Sequence, residues 1–236
     1  ILLGNAAAHH VNASALLSLA NWIAAQTGCS VGYLTEAANT VGAQLVKAQP
    51  QTGGQTAAQM LAGGCKALVL LGCEPACDSA AGAAAVSALQ KADMVVSMSP
   101  FKANMDVADV LLPVSPFTET SGTFVNAAGL AQSFHAVVKP LGDTRPAWKV
   151  LRVLCNMLSI PGTEFETSQD VLAASGVAVG DVPAALLSNA SDAPIVFDAI
   201  ALDATPSVAG IYQLDGIVRR APAIQHTVDA TQEVFA

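Results

Sequence analysis

Short apolar runs alternate with stretches of helical spacing through the first half of the chain. Ile1-Leu2-Leu3 is an apolar run closed by Gly4 and Asn5. Leu16, Leu17, Ala20, Ile23 and Ala24 then recur at helical intervals, with Ser14, Ser18 and Asn21 on other faces. That stripe predicts an amphipathic helix, and Gly28 is placed to end it. Val31 to Leu34 reads as a second strand. After the polar segment Gln49 to Gln55, Thr56 to Ala62 predicts a short helix closed by Gly63-Gly64. Ala67 to Leu71 is apolar without a break, as expected of a parallel strand covered on both faces. Beyond the loop Gly72 to Asp78, an Ala-rich helix is expected over Ala80 to Ala92, then strands at Met94 to Met98 and Val110 to Leu112. Strand and helix in alternation define the class: α/β, with an open, mostly parallel sheet flanked by helices.

The second half is less regular. Ala147 to Leu158 places Trp148, Leu151, Leu154, Cys155 and Leu158 on one side of a helix, with Pro146 at its start and Pro161-Gly162 to end it. Further helices are expected over Ser168 to Ser175 and Pro183 to Asn189, and Pro194 to Phe197 reads as a return to the sheet. From Thr205 onward the alternation breaks down, leaving a last segment around Ile211 to Arg220. The expected organisation is an α/β parallel-sheet domain over 1–145, with a helical and irregular extension over 146–236 packed on the same domain.

Composition narrows the function classes. Of 236 residues 53% are hydrophobic and 12% charged, and 10 Lys+Arg against 18 Asp+Glu leave a net charge of -8. An acidic chain lacks the basic stripe that displaces counterions from nucleic-acid phosphates. It is also repelled by an anionic membrane surface. Mean hydropathy is +0.49, yet no window offers the roughly 20 nearly uninterrupted apolar residues of a spanning helix. So few charges imply surface covered by a partner subunit. The chain opens on Ile1 in mid-pattern, without the basic region of a signal peptide, and is expected to be a piece of something longer.

Candidate chemistry is sparse. Cys29, Cys65, Cys73, Cys77 and Cys155 form neither a disulfide framework nor paired metal-ligand motifs. They are expected to be small buried hydrophobes in a reducing compartment. His9-His10 reads as a loop pair after a strand with no carboxylate near it in sequence, while His135 and His226 stand alone. Gly72-Cys73-Glu74-Pro75 follows a strand, where open α/β sheets place ligands; an ordinary strand-to-helix turn accounts for it equally. No phosphate loop or nucleophile elbow is present. Thr118 to Asn126 gathers hydroxyls and a carboxylate around Gly122 and is expected to be a constrained loop.

Taken together, several segments resemble a known superfamily. Ala108-Asp109-Val110-Leu111-Leu112-Pro113, Glu119, Gly122-Thr123-Phe124-Val125-Asn126, Gly129 and Gln132 are similar to the central signature of the molybdopterin oxidoreductases. Gly72 to Pro75 resembles their Gly-x-Asn-Pro turn, and Gly142 to Lys149 the element that follows. Glu36 to Ala43, Ile211 to Asp215 and Val218 to Gln225 resemble one branch, the G (large iron–sulphur) subunit of bacterial NADH:quinone oxidoreductase, respiratory complex I.

The resemblance implies a scaffolding role in electron transfer from NADH to quinone, with no catalytic residue in this piece. Iron–sulphur clusters are then expected only in an N-terminal part that this sequence lacks. The implied partners are that cluster-bearing part and other peripheral-arm subunits, on the cytoplasmic side of the inner membrane, without direct membrane insertion. Gly72, Glu74, Pro75, Glu119, Gly122 and Asn126 would be vestigial pterin-site positions. The usual Glu-Gly-Arg is here Ala128-Gly129-Leu130, which removes two charged grips, so no cofactor or metal is expected. The alternatives are the molybdopterin-binding domain of a true molybdenum oxidoreductase, and a small-molecule binder using Gly72 and Gly122.

Overall fold

A computed structural model describes residues 1–196 and 209–231. The chain packs as two units: Ile1–Glu36 with Ser188–Ala236, and Ala37–Leu187. In the first, β1 (Leu2–Leu3) and β2 (Gly32–Tyr33) pair in parallel, Leu2 opposite Gly32. A one-turn helix, Asn5–Ala8, and the helix Ala13–Thr27 connect them. Gly28 ends the longer helix in the left-handed region, φ 73°, where a residue without Cβ is unstrained. The buried line of that helix runs along Ala15, Ser18, Ala20 and Ala24, whereas Ile23 lies open.

Polar side chains on this helix hold the returning chain. Ser18 Oγ is 2.8 Å from Ser191 Oγ, and Asn21 Nδ2 donates to the Asn189 carbonyl at 2.8 Å. Asn189 Nδ2 in turn donates to the Val31 carbonyl at 3.1 Å. The helix expected over Pro183 to Asn189 is therefore only the 3-10 turn Ala184–Leu186, because Asn189 is drawn into tertiary bonds instead of a helical ladder. Pro194 to Val196 forms no strand; Phe197, and Thr205 to Val208 of the irregular stretch, lie outside the described residues. The last segment is a series of short turns, Ile211–Leu214, Val218–Arg220, Pro222–Gln225 and Val228–Thr231.

The second unit carries the expected parallel sheet. Its strands β3 (Ala67–Leu71), β4 (Met94–Ser99) and β5 (Val110–Pro113) lie in the order β3-β4-β5. Asp109 sets the last register: its backbone N–H donates to the Val95 carbonyl at 2.9 Å, and its carboxylate accepts from Val95 N–H at 2.7 Å. Leu68, Leu70, Val95 and Leu89 make the core cluster. The reading of β3 as covered on both faces does not hold. Val69 is 58% and Leu71 49% exposed, so among the described residues that face of the sheet is left open. The Ala-rich helix is shortened to Ala83–Leu89, because Gly82 adopts φ 51° and breaks the chain after the separate turn Pro75–Asp78.

A second, antiparallel sheet was not anticipated from the pattern. It comprises β6 (Gly122–Val125), β7 (Leu130–Phe134) and β8 (Gly180–Asp181). Half of the stretch expected to be loop, Thr118 to Asn126, is thus strand. Contacts across the hairpin supply the reason: the hydroxyls of the opposed Thr123 and Ser133 meet at 2.8 Å, and Phe124 packs edge to face on the diagonal Phe134 at 4.9 Å.

The amphipathic helix is Ala147–Met157; just beyond it Ser159 turns the chain at φ 56°, before Pro161-Gly162 is reached. The helix Ser168–Ser175 lies where expected, fixed by reciprocal bonds between Thr167 and Asp170 at its start and by left-handed Gly176 at its end. No helix among the described residues is long and apolar enough to cross a membrane.

Candidate functional site

Two places in the second unit are built like sites. The first is the carboxyl edge of the parallel sheet. Gly72 leaves β3 with φ 63°, turning the chain into Glu74 and Pro75 at the start of the one-turn helix. Asn104, itself at φ 58°, reaches back across this edge. Its Nδ2 donates to the Cys73 carbonyl at 3.0 Å and to Ser97 Oγ at 3.1 Å, tying the ends of β3 and β4 together. Within the turn, the Glu74 N–H donates to Asp78 Oδ2 at 2.7 Å. Burial, then the charge of Asp78 and to a lesser degree that of Glu74, push the Cys73 thiol above its usual range. The thiol therefore stays protonated and is a poor nucleophile or metal ligand.

The second place is a cavity of about 260 Å³ against the β6–β7 hairpin. Asn39 anchors its floor: Asn39 Oδ1 accepts from the buried Val125 N–H at 2.8 Å. Gly42 lies one helical turn on, and a Cβ there would collide with Oδ1 of Asn39 and come within 2.8 Å of its Cγ. Trp148 and Leu172 contribute apolar wall from the two helices described above, and His135 lines the rim end of the hairpin.

The six residues singled out from sequence are not gathered in one place. Gly72, Glu74 and Pro75 form the carboxyl-edge turn, while Gly122 alone of the six lines the cavity. A Cβ on Gly122 would stand 2.8 Å from Phe134 Cζ, so its small size serves ring packing. Glu119 accepts from Leu141 N–H at 3.0 Å, and Asn126 Oδ1 accepts from Ala128 and Leu130 N–H, each at 3.0 Å. Both side chains thus close turns.

Asn39, His135 and Trp148 were not read as site residues. Asn39 lies 86 positions from Val125 in sequence, so no local pattern signals their contact.

The cysteines are less buried than expected. Cys29 and Cys77 are exposed and the other three half-buried, all as free thiols. Cys29 follows the left-handed glycine into a loop, and Cys77 sits in a helix of one turn. His9 follows the helix Asn5–Ala8 rather than a strand, and the fold supplies the carboxylate missing nearby in sequence: Glu36 Oε2 lies 2.7 Å from His9 Nε2. No group of three or more metal-ligating side chains occurs among the described residues.

The parallel sheet, the turn at its carboxyl edge and the β6–β7 hairpin all lie within the first 157 residues. The molybdopterin oxidoreductase family pattern matches residues 1–157, and the chain belongs to that family. Among its relatives is a protein named formate dehydrogenase in Staphylococcus aureus (strain MRSA252). It is 39% identical over 74 residues, 31% of this chain and 8% of that protein. Another is the NADPH-Fe(3+) oxidoreductase subunit alpha of Geobacter sulfurreducens (strain DL-1 / KN400), 36% identical over 98 residues, 41% of this chain and 12% of that protein. The aligned stretches are thus about a tenth of the length of these relatives.

Proposed function

We propose that this chain is a scaffolding part of an oxidoreductase, the C-terminal portion of the G subunit of a bacterial NADH:quinone oxidoreductase. In this reading it supports electron transfer from NADH to quinone without a redox centre of its own. It packs against the cluster-bearing part of the same subunit and against other peripheral-arm subunits, on the cytoplasmic side of the inner membrane. Iron–sulphur clusters belong to that other part.

One observation carries the reading. The turn that would face a pterin nucleotide already spends its Glu74 amide on its own Asp78 carboxylate. After burial, the negative charge of Asp78 and, less, of Glu74 raises the neighbouring thiol. A pyrophosphate arriving at this turn meets like charge and an occupied donor. Ala128 and Leu130, in place of the usual Glu and Arg, add no grip. These residues do not fit the cofactor. The segments 36–43, 211–215 and 218–225 favour the complex I branch over the rest of the family.

The test is molybdenum analysis and pterin fluorescence on the full-length subunit that carries this segment, together with its capture in an intact peripheral arm. Neither metal nor pterin is expected, and the subunit should co-purify with the arm. Stoichiometric molybdenum with a pterin overturns the proposal in favour of a true molybdenum oxidoreductase.

A further inference from the structure

We infer that the cavity beside the β6–β7 hairpin is a binding site for a small, uncharged, flat molecule carrying a carbonyl or ether oxygen. Size sets the first limit. A cavity of about 150 Å³ suffices for a benzene ring, and this one measures about 260 Å³, room for a bicyclic compound. Its walls set the second. No Lys, Arg, Asp or Glu lines it, and His135 is the single ionisable side chain in its lining, so a charged guest would lose hydration with no permanent charge opposite. Phe134 and Trp148 offer ring faces and edges on which a flat molecule packs well.

Polarity gives the third limit. Thr123 and Ser133 share one hydrogen bond, which uses one of their two hydroxyl protons. Ser121 Oγ accepts from Ala136 N–H, and Asn39 Oδ1 from Val125 N–H. Among the described residues, the Asn39 amide protons, the Ser121 proton and one proton of the Thr123–Ser133 pair are therefore available to a guest. Each of these residues lines the cavity. A lining rich in spare donors selects an acceptor oxygen on an otherwise apolar frame. The site is independent of the scaffolding role, since it needs neither the carboxyl-edge turn nor a partner subunit.

The probes are coumarin, a neutral bicyclic lactone, with naphthalene and 2-naphthoate as uncharged and anionic comparators. The readout is the Trp148 indole N–H resonance in a Trp22→Phe background, which leaves one indole signal. Coumarin should shift it saturably, and 2-naphthoate should bind at least tenfold more weakly. Thr123→Val with Ser133→Ala should reduce the preference for coumarin over naphthalene. Val46 lines the cavity and is 48% exposed, so Val46→Phe narrows the mouth without burdening the core. It should weaken coumarin at least fivefold at unchanged circular dichroism. No saturable shift, equal binding of 2-naphthoate, or an indifferent Val46→Phe variant overturns the inference.

Discussion

Replacing Gly42 by Ala should destabilise the second unit entirely through Asn39, and a double-mutant cycle makes this measurable. The Val125 residue is 2% exposed and its N–H has Asn39 Oδ1 as partner at 2.8 Å. Asn39→Ala leaves that donor buried and unpaired, at a cost of about 1–3 kcal/mol. Oδ1, Cγ and Nδ2 of Asn39 are the three atoms nearest the methyl that Gly42→Ala introduces. The methyl must displace Asn39 and so forfeits the same bond. Gly42 also lies within the helix Thr40–Leu45, where Ala is better than Gly by roughly 0.5–1 kcal/mol.

The single variant should therefore lose somewhat less than Asn39→Ala. In the Asn39→Ala background, by contrast, Gly42→Ala should be neutral or stabilising by up to about 1 kcal/mol. The coupling between the two positions should be about 1–3 kcal/mol. Urea unfolding followed by Trp148 emission in the Trp22→Phe background reports on this unit, and amide exchange at Val125 reports on the bond itself. If the two losses add to within about 0.5 kcal/mol, the collision does not act through Asn39 and the reasoning fails.

Three further outcomes are expected. Asn104→Gly loses the two bonds across the sheet edge but keeps its left-handed backbone relaxed, whereas Asn104→Ala adds strain of about 1 kcal/mol; thermal unfolding that ranks Ala above Gly would refute the backbone part. At pH 8, Cys73 should react with a disulfide reagent more slowly than the exposed Cys29 and Cys77, and Asp78→Asn should speed it, which mass spectrometry of labelled peptides resolves. Because the folded thiol titrates higher than the unfolded one, its contribution to stability is complete below the unfolded pKa and fades as pH rises through the folded value. Asp170 titrates below its usual range, held by the Thr167 backbone N–H first, then the Thr167 hydroxyl and the Glu166 N–H. Its folded pKa being depressed, its support for the helix start is present above the ordinary carboxylate range and lost as pH falls through the folded value. The advantage of wild type over Asp170→Asn at pH 7 should shrink accordingly in acid, and an unchanged difference would count against the capping bonds.

Elements held by short-range signals were the legible ones. Ala67 to Leu71 is a continuous apolar run, Met94 to Met98 is broken only by Ser97, and each became a parallel strand. The helix expected over Ser168 to Ser175 is found to the residue, its ends held locally by Thr167 with Asp170 and by Gly176. The β6–β7 hairpin escaped because Gly122, Ser133 and the turn around Asn126 blur its alternation. Only the cross-strand hydroxyl and ring pairs reveal it. In the same way, Pro183 to Asn189 has helical spacing, but bonds from Asn189 to chain more than a hundred positions away prevail over it.

What the linear order of residues could decide by itself was the α/β class, the acidic and charge-poor surface, and the ends of helices bounded by Thr167, Gly28 and Gly176. Those depend on interactions within a few residues, or on composition alone. Tertiary structure decided which face of β3 is open, that His9 meets Glu36, and that Asn39 closes the floor of a cavity under Val125. Each of these rests on groups that are distant along the chain, and the loop-closure entropy separating them is overcome only when the whole unit packs at once.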